Sequence, residues 1–127
     1  MRYNQNMEIR IKSSDFEMTP DISSYLDERL AHLEKLLGTE AMSARCEIEI
    51  GRDAGRPRHG ANIYFAEMQL FNPGGKLLRA TNRSESINGA IDDAKQELER
   101  QIRQDKKLHI RLLRKGGTFA KRLLRLD

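Results

Sequence analysis

The residues with the strongest chemical signature are the basic ones near the C-terminal end. Residues 95–127 contain Lys95, Arg100, Arg103, Lys106, Lys107, Arg111, Arg114, Lys115, Lys121, Arg122 and Arg125. Against these 11 cations stand Glu97, Glu99, Asp105 and Asp127, a balance of +7. Residues 1–94 carry the other 12 cations and 15 acids, a balance of −3. A concentrated basic surface on an otherwise acidic chain fits a polyanionic partner. The competing interpretation is a solvated helix face followed by a basic tail. A pI near 9.4 suits nucleic acid and acidic lipid equally well.

Bond-making chemistry finds little support. His32, His59 and His109 are scattered, with no Cys or carboxylate at metal-ligand spacing, and each reads as a surface or boundary histidine. Cys46 alternates with Glu47 and Glu49, so it points into a core, and no base partner is suggested for it. Asp92 and Asp93 are adjacent on a helix and face different directions, a poor acid/base pair. They read instead as compensation of the helix dipole. Gly51, Gly55 and Gly60 make a flexible loop rather than a phosphate cradle, since no helix follows directly. The residues therefore predict no enzyme, no metal site, no cofactor and no small-molecule substrate. Arg52, Arg56 and Arg58, with His59, make that loop basic; it is either a solvated connection or a second phosphate contact.

The elements that must position these residues follow from periodicity. Met7 to Lys12 alternates apolar and charged residues, the pattern of a half-buried strand. Thr19-Pro20 is a helix start, and Ile22, Leu26, Leu30, Leu33 and Leu37 keep helical spacing as far as Gly38, with the stem of Arg29 on the same side. Cys46, Ile48 and Ile50 mark a second strand; Tyr64, Ala66, Met68 and Leu70 mark a third. Asn72-Pro73-Gly74-Gly75 is a turn, and Leu78 and Ala80 complete a hairpin. Asn82 or Ser84 can cap a second helix whose core stripe is Ile87, Ala90, Ile91, Ala94, Leu98 and Ile102, extended by Leu108 and Leu112. Arg100, Arg103, Lys107, Arg111 and Arg114 fall on the opposite face. Gly116-Gly117 stops this helix, so it runs to Lys115 over about 45 Å and its end projects. The order is β-α-β-β-β-α: an α+β fold with two helices packed on one face of a four-stranded sheet.

A chain of 127 residues with no internal repeat reads as one domain, 1–115, with a short basic tail, 116–127. No apolar run is long enough to cross a membrane, and Met1 to Asn6 lacks an apolar signal region. A single cysteine cannot form an internal disulfide, so a cytoplasmic setting is expected.

Two stretches carry a resemblance. One is Thr19-Pro20-Asp21-Ile22-Ser23-Ser24-Tyr25-Leu26, with Arg29-Leu30 and Leu33-Glu34-Lys35. The other is Ala90-Ile91-Asp92-Asp93-Ala94, with Leu98-Glu99-Arg100-Gln101-Ile102-Arg103 and Lys106. Over residues 7–107 the chain resembles the hibernation-promoting factor and ribosome-associated inhibitor A family, also called sigma-54 modulation proteins. The resemblance implies a fold similar to a double-stranded-RNA-binding domain. It implies a ribosome-binding hibernation factor of the short form, with the small subunit and its rRNA as partners. Such a factor occupies the mRNA and tRNA sites and inhibits translation under stress or in stationary phase. Arg83, Arg100, Arg103 and Lys106 match basic positions of the family's second helix, and Arg29 and Lys35 match basic positions of the first. Lys107, Arg111 and Arg114 extend that face by geometry. The chain departs from the family at Asn88, Glu97 and Gln104, and has a basic tail where some members have an acidic one. The sequence leaves open whether paired or single inactive ribosomes are favoured, what triggers synthesis, the oligomeric state and the role of the tail.

The alternative is a protein-interaction regulator, for example of a transcription factor, docking through the long C-terminal helix. Phosphate binding weakens by about one log unit per log unit of salt for each contact, whereas a helix held by Leu108 and Leu112 does not.

Overall fold

The computed structural model describes residues 7–53, 63–72 and 76–114. Strand β1 spans Glu8–Ser14 and helix α1 spans Pro20–Leu37. Thr19 is extended and its hydroxyl accepts the Ile22 N–H at 3.3 Å, satisfying one orphan donor of the first turn. Gly38 ends the helix at φ 65°, where its N–H donates to the Glu34 carbonyl. A 3-10 turn over Gly38–Ser43 leads into β2, Arg45–Arg52. Strands β3 (Tyr64–Phe71) and β4 (Leu77–Ser84) and helix α2 (Ile87–Arg114) complete the order.

The sheet order is β1-β2-β3-β4, with β1 parallel to β2 and the other neighbours antiparallel. A parallel pair needs a crossover, and α1 supplies it. The register sets Cys46 beside Leu70, Ile48 beside Met68 and Ile50 beside Ala66, while Leu78 and Ala80 lie beside Leu70 and Met68. This face is buried in one cluster with Leu26, Leu30, Leu33 and Leu37 of α1 and Ile87, Ala90, Ile91, Ala94, Leu98 and Ile102 of α2. Burying each leucine contributes about 1.5–3 kcal/mol, so the two apolar stripes fix both helices on that side. The other face carries Arg10, Lys12, Glu47, Glu49, Glu67 and Arg79, none of them buried. The fold is α+β, as the periodicity requires.

Three details differ from expectation. Gly51 and Arg52 belong to β2 rather than to a loop, paired with Phe65 and Tyr64. A Cβ on Gly51 would lie 2.2 Å from the Ser14 carbonyl and 3.0 Å from the Phe65 ring, so this close approach needs glycine. The cap of α2 is Ser86, whose hydroxyl accepts the Gly89 N–H at 3.0 Å. Asn82 and Ser84 are occupied in β4, opposite Ala66 and Tyr64. Leu108 is 46% exposed instead of buried, because the core stripe ends at Ile102. The side chain of Leu112, the Pro73-Gly74-Gly75 turn, Lys115 and the tail lie outside the described residues. The hairpin itself is closed by Asn72 N–H donating to the Lys76 carbonyl at 3.1 Å.

Candidate nucleic-acid interface

Helix α2 is electrically divided. Residues 87–99 hold Lys95 against Asp92, Asp93, Glu97 and Glu99; residues 100–114 hold six cations against Asp105. The first turn of α2 holds no acid, so only the basic end lies where it complements the helix dipole. What the cations can do for a partner depends on which of them the fold already uses.

The flank facing α1 is occupied. Tyr25 donates its hydroxyl to Asp92 Oδ2 at 2.6 Å, and Arg29 Nε donates to Asp92 Oδ1 at 2.9 Å. The Arg29 guanidinium also lies 4.1 Å from the centre of the Tyr25 ring. Burial disfavours the charged form of Asp92, but hydrogen bonds from Tyr25 and Arg29 and the charges of Arg29 and Lys95 outweigh it. The carboxyl therefore titrates below its ordinary value. The hydrogen bond to Asp92 raises both Tyr25 and Arg29. Asp92 is thus a tie between the helices rather than dipole compensation, and Arg29 serves that tie instead of only lending its stem to the core. Further along, Lys106 Nζ donates to the Leu36 carbonyl at the end of α1. Contacts at Tyr25 and Arg29 near Asp92, then at Leu36 near Lys106, mean that the helices run side by side in the same direction. Lys76 Nζ meets Asp105 Oδ1 at 2.8 Å, fastening the hairpin to α2 at the same level.

The flank facing β4 is also occupied. Gln101 Oε1 accepts the Arg79 N–H at 3.1 Å and its Nε2 donates to the Arg79 carbonyl at 2.8 Å. The side-chain amide acts as one residue of a missing strand, covering part of an edge that would otherwise present unpaired backbone groups. The same Nε2 donates to Glu97 Oε2 at 2.9 Å, and Arg100 Nε donates to Glu97 Oε1 at 3.0 Å. Hydrogen bonds from Arg100 first and Gln101 second hold the Glu97 carboxyl down to about 2.

Between these flanks, Arg103, Lys107 and Arg114 are exposed and meet no acid among the described residues. Steps of four and seven residues put them on one face, opposite the buried stripe. Lys35 on the last turn of α1 is likewise exposed and adds charge at that end. Arg111 lies on the α2 backbone, but its side chain is outside the described residues.

The other expected cations are elsewhere. Arg83 is on the opposite face of the sheet beside Phe65, its Nε 3.2 Å from Asp53 Oδ2. It precedes α2, whereas Arg103 lies about 24 Å along that helix. Arg52 shares that end of the sheet, with Nη2 3.8 Å from Asp15 Oδ2. Arg56, Arg58 and His59 are outside the described residues. Burial, helped by the Glu47 charge, pushes the Cys46 thiol up to about 12, leaving it unreactive at neutral pH. Among the described residues no group of three His, Cys, Asp or Glu side chains could hold a metal, and no helix is long and apolar enough to cross a membrane.

The sequence matches the family described as Sigma 54 modulation protein / S30EA ribosomal protein over residues 9–109. The chain belongs to that family. This agrees with the resemblance carried by its two helices, and it makes the protein one of the ribosome-associated hibernation factors. Among solved structures, the family fold recurs in the N-terminal domain of Protein Y from Thermus thermophilus. That match has 25% identity and a TM-score of 0.62, and covers 77% of this chain and 98% of the other. A ribosomal subunit interface protein from Coxiella burnetii matches with 14% identity and a TM-score of 0.63, over 80% of this chain and 99% of that one. The second likeness is one of fold alone. No curated protein matches the chain.

Proposed function

We propose that this protein binds the rRNA of the small ribosomal subunit through the outer face of α2, occupies the mRNA and tRNA sites, and so inhibits translation. The observation that carries this reading is the row Arg103, Lys107 and Arg114, exposed and without an acidic partner among the described residues, on a helix whose other flanks are committed to the fold. Phosphates would replace condensed counterions along that row, and the rigid helix pair would supply the shape that rRNA recognition requires. Arg111 belongs to the same helical face. Arg100 and Lys106 stand at its borders, and Arg83 and Arg52 would make at most a separate contact at the far end of the sheet. Membership of a family described as S30EA ribosomal protein supports a ribosomal partner. A ribosomal partner implies the cytoplasm and needs no catalytic residue. Residues 1–115 would form the binding domain, with 116–127 as an appended tail.

Exposed Leu108 favours a second reading, in which the end of α2 docks on a protein. Competition decides between them. Loading small subunits with mRNA and initiator tRNA should exclude the protein, and the protein should inhibit translation in a purified system. Simultaneous binding of all three would refute occupation of those sites.

A further inference from the structure

Arg100 projects from the same outer half of α2 as Arg103 and Lys107, yet it is not equivalent to them. Its guanidinium makes two bonds to Glu97, from Nε and from Nη2. Glu97 is itself fixed by Gln101, and Gln101 by both backbone groups of Arg79. A continuous chain of hydrogen bonds therefore runs from the β4 edge to the Arg100 head group. An isolated surface ion pair is weak because two mobile side chains must be held together. Here one partner is already held, and a forked guanidinium on a carboxylate is the favourable geometry.

We infer that Glu97 is an attenuator of polyanion binding: it neutralises Arg100 in place and takes that cation out of the row. The inference deepens the proposed use of α2 in RNA binding and rests on it. A neutral pair releases no counterion, so the row begins at Arg103 and its affinity is set below what its sequence of cations suggests. Acidification does not release Arg100, because Glu97 remains ionised down to about pH 2. Glu97 thus sets the level of binding, which keeps the complex reversible.

A four-member cycle tests this: wild type, Glu97→Gln, Arg100→Gln and the double variant. Each is titrated against purified small subunits and eluted from immobilised heparin with KCl. Glutamine at 97 can still accept from Gln101, and Asp93→Asn controls for the change in net charge. Expected for Glu97→Gln is a salt slope steeper by about 0.7–0.9 and binding about five- to eightfold tighter at 0.1 M salt, with later elution from heparin. Arg100→Gln should change little in the wild type and remove the whole gain in Glu97→Gln. An equal cost of Arg100→Gln in both backgrounds, or a Glu97→Gln gain no larger than that of Asp93→Asn, would overturn the attenuator. Failure of the wild type to bind subunits, with the heparin shift intact, would instead overturn the ribosomal reading and leave the attenuator standing.

Discussion

Replacing Lys106 with methionine separates a cation that builds the domain from one that binds RNA. Family resemblance assigns Lys106 to the basic face, but its ammonium donates to the Leu36 carbonyl. That carbonyl is among the last four of α1, which have no partner within the helix. Methionine keeps the length and apolar stem of the side chain and removes the charge and the bond. A hydrogen bond to a charged group contributes about 1.5–3 kcal/mol when shielded from water, and partial exposure here reduces the expected loss to about 1 kcal/mol. For a chain of this size that corresponds to a melting temperature lower by about 3–5 °C. The salt slope for binding small subunits should change by less than about 0.3, against about 0.7–0.9 for a lost phosphate contact. Thermal unfolding and salt titration of one preparation read both quantities. An unchanged melting temperature with a slope reduced by a full contact would refute the division between structural and RNA-facing cations.

Other positions give equally definite expectations. Leu98→Ala, at a side chain with no exposure, leaves a cavity and should cost about 2–5 kcal/mol in urea unfolding. Asp92→Asn weakens the tie to Tyr25 and Arg29 and should lower stability at neutral pH. Because the folded pKa of Asp92 is depressed, its contribution is present above the unfolded carboxyl value near 4 and fades as pH falls through the folded one. The variant should therefore converge on the wild type in acid, which urea melts at pH 7, 4 and 2.5 would follow. Gln101→Ala uncovers the backbone of Arg79, so hydrogen exchange of that amide should accelerate while the core of β3 stays protected.

The periodic signals in the sequence predict the architecture closely. Alternation at Cys46, Ile48 and Ile50 and helical spacing from Ile87 to Ile102 place the apolar residues that the core buries. The bounds of α1 follow from Thr19-Pro20 and Gly38, since caps are local chemistry. The parallel pairing of β1 and β2 was not readable, because register and neighbour choice depend on packing across the chain. Nor were the long-range ties of α2. Tyr25 to Asp92, Leu36 to Lys106 and Arg79 to Gln101 are separated by 67, 70 and 22 positions, and no spacing rule links them. Composition located the basic region; the fold distinguishes the cations already in use from Arg103, Lys107 and Arg114. The bonds between Glu97 and Arg100 had a local signal, an acid and a base three residues apart on one helix.

The central claim is that these three cations hold the protein on the small subunit. Its most direct test is co-sedimentation of wild type and the Arg103→Gln/Lys107→Gln/Arg114→Gln variant with separated small and large subunits. Three lost contacts at about 0.7–0.9 log units each predict binding weaker by about 100- to 500-fold at 0.1 M salt. The wild type should comigrate with small subunits and the folded variant should remain at the top of the gradient. Comigration of both, or of neither, would contradict the account.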